Sequence, residues 1–85
     1  MYLHLGKGSV IRTDSILGIF DLDITSQSHL TRAFLTKAEK AGRVINAAED
    51  LPKSFVLCQE GDSNTVYLSQ MAAATLLRRC EAGLV

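Results

Sequence analysis

The densest run of large apolar residues in the chain is Ile16–Asp23, and it predicts a buried β-strand. Alternate residues of a strand point to opposite faces, and here both faces are largely apolar: Ile16, Gly18, Phe20 and Leu22 on one, Leu17, Ile19 and Asp21 on the other. We expect such a strand at the centre of a sheet, covered on both sides or covered on one side by a neighbouring subunit. Gly18 indicates either a bulge or a close approach by another group.

The residues before this run predict two shorter strands. Tyr2–Leu5 alternates weakly, and the glycines of Gly6-Lys7-Gly8 favour a plain turn after it rather than a phosphate-binding loop. Ser9–Thr13 is rich in β-formers, and Asp14-Ser15 favours a second turn. The pattern therefore predicts a hairpin that joins Ser9–Thr13 to Ile16–Leu22.

A helix is predicted over residues 27–41, because apolar residues recur there at helical spacing. Its start is indicated by the N-cap candidates in Thr25–Ser28, and its end by Gly42. The residues that form the apolar stripe are Leu30, Ala33, Phe34, Ala38 and Ala41. We expect this stripe to cover one face of the sheet and the basic residues to form a solvated face.

The second half of the chain predicts further strands and a second helix, without an internal sequence repeat. Short strands are predicted at Arg43–Asn46, Ser54–Gln59 and Thr65–Leu68, the last two joined as a hairpin after a polar loop at 47–53. Ser69 is a candidate N-cap for a helix over 71–80, ended by Gly83. Its predicted apolar edge consists of Met71, Ala74, Leu77 (or Leu76) and Cys80. The fold class is therefore α+β, with a small, mostly antiparallel sheet and two helices.

Composition adds expectations about domain number and assembly. A chain of 85 residues is long enough for one domain, residues 1–85, and only for a thin core. With 47% apolar residues, we expect that core to be completed by self-association. Two widely spaced cysteines, Cys58 and Cys80, indicate free thiols in a reducing cytosol. We see neither a signal peptide nor a run long enough to span a membrane, and expect a cytoplasmic protein.

Nothing in the pattern points to an enzyme. His4 and His29 lie far apart and neither has metal-ligand spacing with a cysteine. Asp21 and Asp23 share a strand face in this prediction, but no nucleophile, histidine or glycine-rich loop accompanies them. We therefore expect no catalytic site, no metal, no cofactor and no small-molecule substrate.

Five short segments, in this order and spacing, resemble the small bacterial extracellular matrix regulators of the RemA/RemB family, and most of all the RemB branch. They are Tyr2-x-His4-Leu5-Gly6, Ile16–Asp21, Pro52-Lys53-Ser54, Tyr67-Leu68-Ser69, and a final helix with Thr75-Leu76 and Arg78-Arg79. The resemblance implies a protomer similar to the LytTR DNA-binding domain. It also implies rings of identical subunits that bind double-stranded promoter DNA and regulate biofilm matrix genes.

The charges of the chain leave two alternatives, with and without DNA binding. The chain has nine basic and nine acidic residues, so a basic patch would have to be local or repeated around a ring. The candidate DNA-binding residues are Arg12, Lys53, Arg78 and Arg79. The DNA-binding branch of the family has arginines near the positions of Asp14–Ser15 and Leu51–Pro52, where this chain has none. The alternative is a ring-forming assembly or protein-interaction module without DNA binding.

Overall fold

The structure is a computed structural model that describes residues 2–6, 8–25 and 27–83, with side chains described as far as residue 81. Lys7 of the predicted first turn and Ser26 of the predicted N-cap segment lie outside the described residues. The elements, in chain order, are β1 (Tyr2–Gly6), β2 (Ser9–Arg12), a 3-10 turn (Thr13–Ser15), β3 (Ile16–Asp21), α1 (Leu22–Thr25), α2 (His29–Lys40), β4 (Val44–Asn46), β5 (Ser54–Glu60), β6 (Ser63–Ser69) and α3 (Ala73–Gly83). The predicted α+β class with mostly antiparallel pairing is confirmed, and the described residues contain a third, short helix, α1.

The strands form two sheets. β1 and β2 make an antiparallel pair, and a four-stranded sheet has the order β3-β5-β6-β4. The predicted hairpin between β2 and β3 is wrong, because β2 pairs only with β1 and β3 pairs with β5. The 3-10 turn explains the difference: the Ser15 hydroxyl donates to the Arg12 carbonyl at 2.8 Å, and the Ile16 N–H donates to the Thr13 carbonyl. These bonds form a 3-10 turn between β2 and β3. A hairpin would instead need a ladder of hydrogen bonds between the two strands.

β3 lies at the edge of its sheet, so the prediction that it is central is wrong. The central position belongs to β5, in which Ser54, Phe55, Val56 and Cys58 are buried, whereas β3 has no buried residue. An apolar run indicates that its side chains avoid water, but it does not fix the position of the strand in the sheet. That position also depends on the connections between the strands.

The expectation for Gly18 is confirmed in both of its forms. The register with β5 shifts between Ile16 and Gly18, which places a bulge at Leu17. A Cβ on Gly18 would lie 2.7 Å from the Phe20 ring, so only glycine leaves room for this ring. Because of the bulge, Ile16 and Ile19 pack on the same core, while Phe20 stacks on Phe55 with ring centroids 4.9 Å apart. The predicted sharing of a face by Ile16 and Phe20 is therefore wrong.

The strand ends one residue earlier than predicted. The Asp21 carboxylate accepts a hydrogen bond from the Ile24 N–H at 3.2 Å, and the Thr25 hydroxyl donates to the Asp21 carbonyl at 2.6 Å. These contacts begin α1 at Leu22 and place Asp23 on that helix. Asp21 and Asp23 therefore do not share a strand face, contrary to the prediction.

Helix α2 connects the two edges of the four-stranded sheet. Ser28 is its N-cap, accepting from the Thr31 N–H at 3.4 Å, and Gly42 follows its end with φ +73°, as predicted. It packs on the sheet through Phe34, Leu35 and Ala38, which confirms the predicted stripe at Phe34 and Ala38. Leu30, Ala33 and Ala41, which the prediction also included, are exposed. Parallel strands need such a crossover, and β3 and β4 both run parallel to β6.

The core lies on both faces of β5. Val56 and Cys58 face β1, β2 and α3 through Leu5, Ile11 and Leu76, whereas Phe55 on the other face meets α2. Helix α3 turns Ala73 and Leu76 inward, and Met71 and Cys80 pack on the same core, so the predicted apolar edge is confirmed with Leu76 and wrong at Ala74 and Leu77, which are exposed. No helix in the described part of the chain has both the length and the apolar character needed to cross a bilayer.

Ser69 does not cap α3 as predicted, because it is the last residue of β6. Its buried hydroxyl donates to the Leu5 carbonyl at 2.8 Å and accepts from the Met71 N–H at 3.1 Å. Ser69 therefore ties β1 to the end of β6.

Candidate nucleic-acid interface

Two of the four candidate cations lie at opposite ends of β5, and the other two lie on α3. Lys53 immediately precedes this strand, whereas Arg12 lies beside Gln59–Gly61 at its other end. A strand of this length spans about 20 Å at about 3.3 Å per residue. One protomer therefore does not bring Arg12 and Lys53 together.

Lys53 is held by its backbone and presents an exposed side chain. Its N–H donates to the Ser69 carbonyl at 2.8 Å, and its own carbonyl accepts from the Leu22 N–H at 2.9 Å. The main chain of Lys53 is thus fixed between the end of β6 and the start of α1. A fixed backbone lowers the ordering cost of a phosphate contact, although the lysine stem must still be ordered.

The side chain of Arg79 contacts Met71, which lies between β6 and α3. Its Nη1 lies 3.7 Å from Sδ of Met71, and the Met71 carbonyl accepts a hydrogen bond from the Ser54 hydroxyl at 2.7 Å. Sulfur is a weak acceptor, so this contact orients the guanidinium without neutralising it. Arg79 is thus linked through Met71 to Ser54, the residue after Lys53, while its neighbours Cys80 and Glu81 lie beside Thr13 and Asp14.

Arg78 is also exposed on α3 and lies next to Arg79 in sequence. Its Nη2 is 3.5 Å from the hydroxyl oxygen of Thr75, one turn earlier in the helix. Successive helical residues are about 100° apart around the axis, so Arg78 and Arg79 point in different directions. Arg78 therefore lies on a different side of α3 from the Met71 contact of Arg79.

The loop at 47–53 lies at the Lys53 end and is pinned by a side chain that the sequence analysis missed. The side-chain amide oxygen Oε1 of Gln70 accepts from the N–H groups of Glu49 at 2.9 Å and Asp50 at 3.2 Å. The contact spans some twenty residues, so no local pattern signals it. The loop presents Leu51, 80% exposed, where the DNA-binding branch would have an arginine, and Glu49 and Asp50 dilute the positive charge.

The opposite end of β5 is acidic. Nη2 of Arg12 lies 2.8 Å from Oδ2 of Asp14, and both side chains are 68% exposed. A shallow pocket beside this pair is also lined by Glu60. The Tyr67 hydroxyl donates to Glu60 at 2.8 Å, and burial together with this carboxylate raises the pKa of Tyr67 to about 12. The charge of Arg12 is therefore already balanced by its neighbours.

The outward face of α2 carries a second set of cations. Arg32, Lys37 and Lys40 are exposed and surround a shallow groove that also includes His29. The position of these side chains opposite the buried face agrees with the predicted solvated face. This surface runs along the crossover helix toward β4.

Comparison with known proteins agrees with the resemblance seen in the sequence. The family model described as RemA-like, extracellular matrix regulatory protein A-like, matches residues 2–80. Extracellular matrix regulatory protein B from Bacillus subtilis (strain 168) is 32% identical over 81 residues, which cover 95% of this chain and 91% of that protein. This chain therefore belongs to the RemA-like family of extracellular matrix regulatory proteins.

Proposed function

We propose that the protein is a cytoplasmic, DNA-binding transcriptional regulator of extracellular matrix genes that acts as a homo-oligomeric ring of LytTR-like protomers. The family supports the regulatory role, since its relative is named for regulation of the extracellular matrix. The observation that supports the DNA contact is the exposed side chain of Lys53 on a backbone fixed at one end of the four-stranded sheet. Arg78 and Arg79 are exposed on α3, and Arg79 contacts Met71. Arg12 is the weakest of the four candidates because it already pairs with Asp14.

Repetition around a ring makes this small set of cations sufficient for DNA binding. One lysine and one or two arginines in each subunit form a weak site, but repetition around a ring raises the effective concentration of each further contact. Each cation that neutralises a phosphate also releases counterions from the duplex, so affinity depends steeply on salt. A net charge of zero per chain is compatible with this mode of binding.

The test is a gel shift with matrix-gene promoter DNA at low salt. Lys53→Ala and Arg79→Ala should each weaken retention, Arg78→Ala should weaken it less, and Arg12→Ala should have the smallest effect. The slope of log affinity against log salt should become shallower by about 0.9 for every phosphate contact that is lost. Arg12→Ala serves as the matched control, since it removes the same charge at the other end of β5.

The outcomes separate the roles of the cations. Equal losses for all four variants would contradict the proposed end of the sheet, because a purely global charge effect does not depend on position. Loss for Arg12→Ala alone would place the DNA at the opposite end.

The second candidate function is an assembly or protein-interaction module without DNA binding. It is favoured by the exposed Leu51 and by the acidic Asp14 at the positions where the DNA-binding branch has arginines. An apolar loop residue is better suited to a protein partner than to a phosphate. If the wild-type protein shows no retention even at low salt, this second function replaces the first.

A further inference from the structure

Helix α2 presents a basic groove on the side that faces away from the sheet. We call this surface the α2 groove, and the residues that line it are His29, Arg32, Ala33, Thr36, Lys37 and Lys40. Three of them are arginine or lysine, and none carries a carboxylate. All six are exposed, whereas Ala38 of the same helix is buried against the sheet. The α2 groove is therefore a positive surface on a chain whose net charge is zero.

The shape of the α2 groove suits an elongated polyanion. Ala33 and Thr36 have short side chains, so the longer cations around them stand above a low floor. Arg32 and Lys40 are eight residues apart, which corresponds to about 12 Å along the helix axis. The major groove of B-DNA is also about 12 Å wide. Cations at the two ends of the groove can therefore reach phosphates on both strands of a duplex.

The two lysines of the α2 groove are free to bind a phosphate. Within the described part of the chain, neither the Lys37 nor the Lys40 ammonium group has a hydrogen-bond or ion-pair partner. Arg12, by contrast, is already paired with Asp14 at 2.8 Å. A lysine without a partner gains a charge-assisted contact with a phosphate and breaks no existing ion pair.

The helix dipole explains only part of this charge distribution. Lys37 and Lys40 lie in the last turn of α2, where cations stabilise the negative end of the dipole. His29 and Arg32 lie at the other end, where the dipole favours acidic residues, yet the first turn contains none. The basic residues thus follow the α2 groove over its whole length, not only the end of the helix that the dipole favours.

We propose that the α2 groove is a second DNA-contact surface, which binds the phosphate backbone of a duplex without reading its sequence. Lysine meets a phosphate as a point charge, and the groove contains neither asparagine nor glutamine to read an adenine edge. Such contacts position a duplex without specifying its sequence. This inference rests on the DNA-binding part of the proposed function. It adds a surface on the opposite face of the sheet from α3, the helix of Arg78 and Arg79.

The first test removes the lysine charges and follows the salt dependence of binding. Fluorescence anisotropy is measured with two labelled duplexes, a matrix-gene promoter and a scrambled sequence of the same length. Each phosphate contact accounts for about a 3.5-fold fall in affinity between about 50 and 200 mM salt. Lys37→Gln and Lys40→Gln should each reduce the fall by that factor for every protomer on the duplex, and the double variant by about 12-fold. Gln59→Glu, an equal charge change at the exposed end of β5, is the matched control.

The second test strengthens binding, a result that misfolding cannot produce. Glu39 is exposed on α2 beside Lys40 but does not line the α2 groove. Glu39→Gln should raise the affinity for both duplexes roughly twofold at low salt, because it removes a negative charge next to the groove. Asp62→Asn, the same charge change in the turn between β5 and β6, should leave the affinity unchanged. Far-ultraviolet circular dichroism verifies that every variant is folded.

The outcomes separate this inference from the proposed function. If Lys37→Gln/Lys40→Gln keeps the wild-type salt dependence while Lys53→Ala weakens binding, the α2 contact is wrong and the Lys53 contact stands. The α2 groove would then fit an acidic protein partner instead. An effect of Gln59→Glu as large as that of Lys40→Gln would also overturn the inference, because total charge would explain both. A wild type that binds neither duplex contradicts both proposals. Equal affinity for the two duplexes contradicts selective regulation of matrix genes, but it leaves this sequence-independent contact standing.

Discussion

β3 and β5 are both apolar strands of similar length, yet they have opposite positions in the sheet. β5 lies between β3 and β6 and buries Ser54, Phe55, Val56 and Cys58. β3 lies at the edge and leaves Leu17 and Phe20 exposed. The comparison teaches that hydrophobicity shows how much surface avoids water, but not whether the same protomer covers it. In β3 that surface stays exposed in the protomer.

The largest expected contrast is in the contribution of the two strands to protomer stability. Phe55→Ala should lower the free energy of unfolding by about 3–5 kcal/mol, because it empties a buried site and removes the stack on Phe20. Leu17→Ala, at an exposed site, should change it by less than about 1 kcal/mol. Urea unfolding would measure both, at concentrations low enough for the mass to be that of one protomer, since assembly adds its own stabilisation. Equal losses would show that the protomer itself buries β3.

A smaller effect is expected from the glycine that shapes β3. Gly18→Ala should lower the free energy of unfolding by roughly 1–2 kcal/mol, because the new Cβ displaces the Phe20 ring from its stack on Phe55. The ring is partly exposed and able to move, which limits the loss. The control is the same change in a Phe20→Ala background, where the obstacle is gone and the loss should nearly vanish. A loss that persists in that background would point to the bulge rather than to the ring.

Local features of the sequence predicted much of the fold. The hairpin of β5 and β6, the crossover helix with Gly42 after its end, and the close approach at Gly18 each follow from residues near one another in the chain. A turn, a cap or a bulge is decided by a few neighbouring residues, so a single sequence is enough to indicate it.

The strand order and the grouping of the cations could not be predicted in the same way. Which strand is central depends on β5 inserting between β3 and β6, which are more than 40 residues apart. Arg79 contacts Met71, whose carbonyl bonds to Ser54, and Gln70 holds a loop that is distant in sequence. None of these contacts leaves a periodic pattern. The resemblance to a family supplied the candidates Arg12, Lys53, Arg78 and Arg79, but not their geometry.

The reaction rates of the two thiols test the contrast between the central strand β5 and the peripheral helix α3. Burial raises the pKa of both Cys58 in β5 and Cys80 in α3, but Cys58 is fully buried and Cys80 only half-buried. A disulfide reagent at neutral pH should therefore modify Cys80 first, and both rates should rise with pH because the thiolate is the reactive form. The single variants Cys58→Ser and Cys80→Ser assign the two phases. A fast reaction at Cys58 would mean that the β5 centre opens readily.

The smallest effect is expected on the pKa of Tyr67, whose hydroxyl donates to Glu60 at the exposed end of β5. Burial and the Glu60 carboxylate raise the pKa of Tyr67 to about 12, from an ordinary value of 10. Since the folded form holds this proton more tightly than the unfolded form, the stabilisation is complete below about pH 10 and is lost as the pH rises through about 12. Glu60→Gln should lower the pKa of Tyr67 but leave it above its ordinary value, because burial, the largest cause, remains. The near-ultraviolet absorbance of the phenolate, followed in a Tyr2→Phe background, would measure it. An unchanged pKa in Glu60→Gln would assign the whole shift to burial, and a return to the ordinary value would assign it all to the carboxylate, contrary to the burial expected beside a central strand.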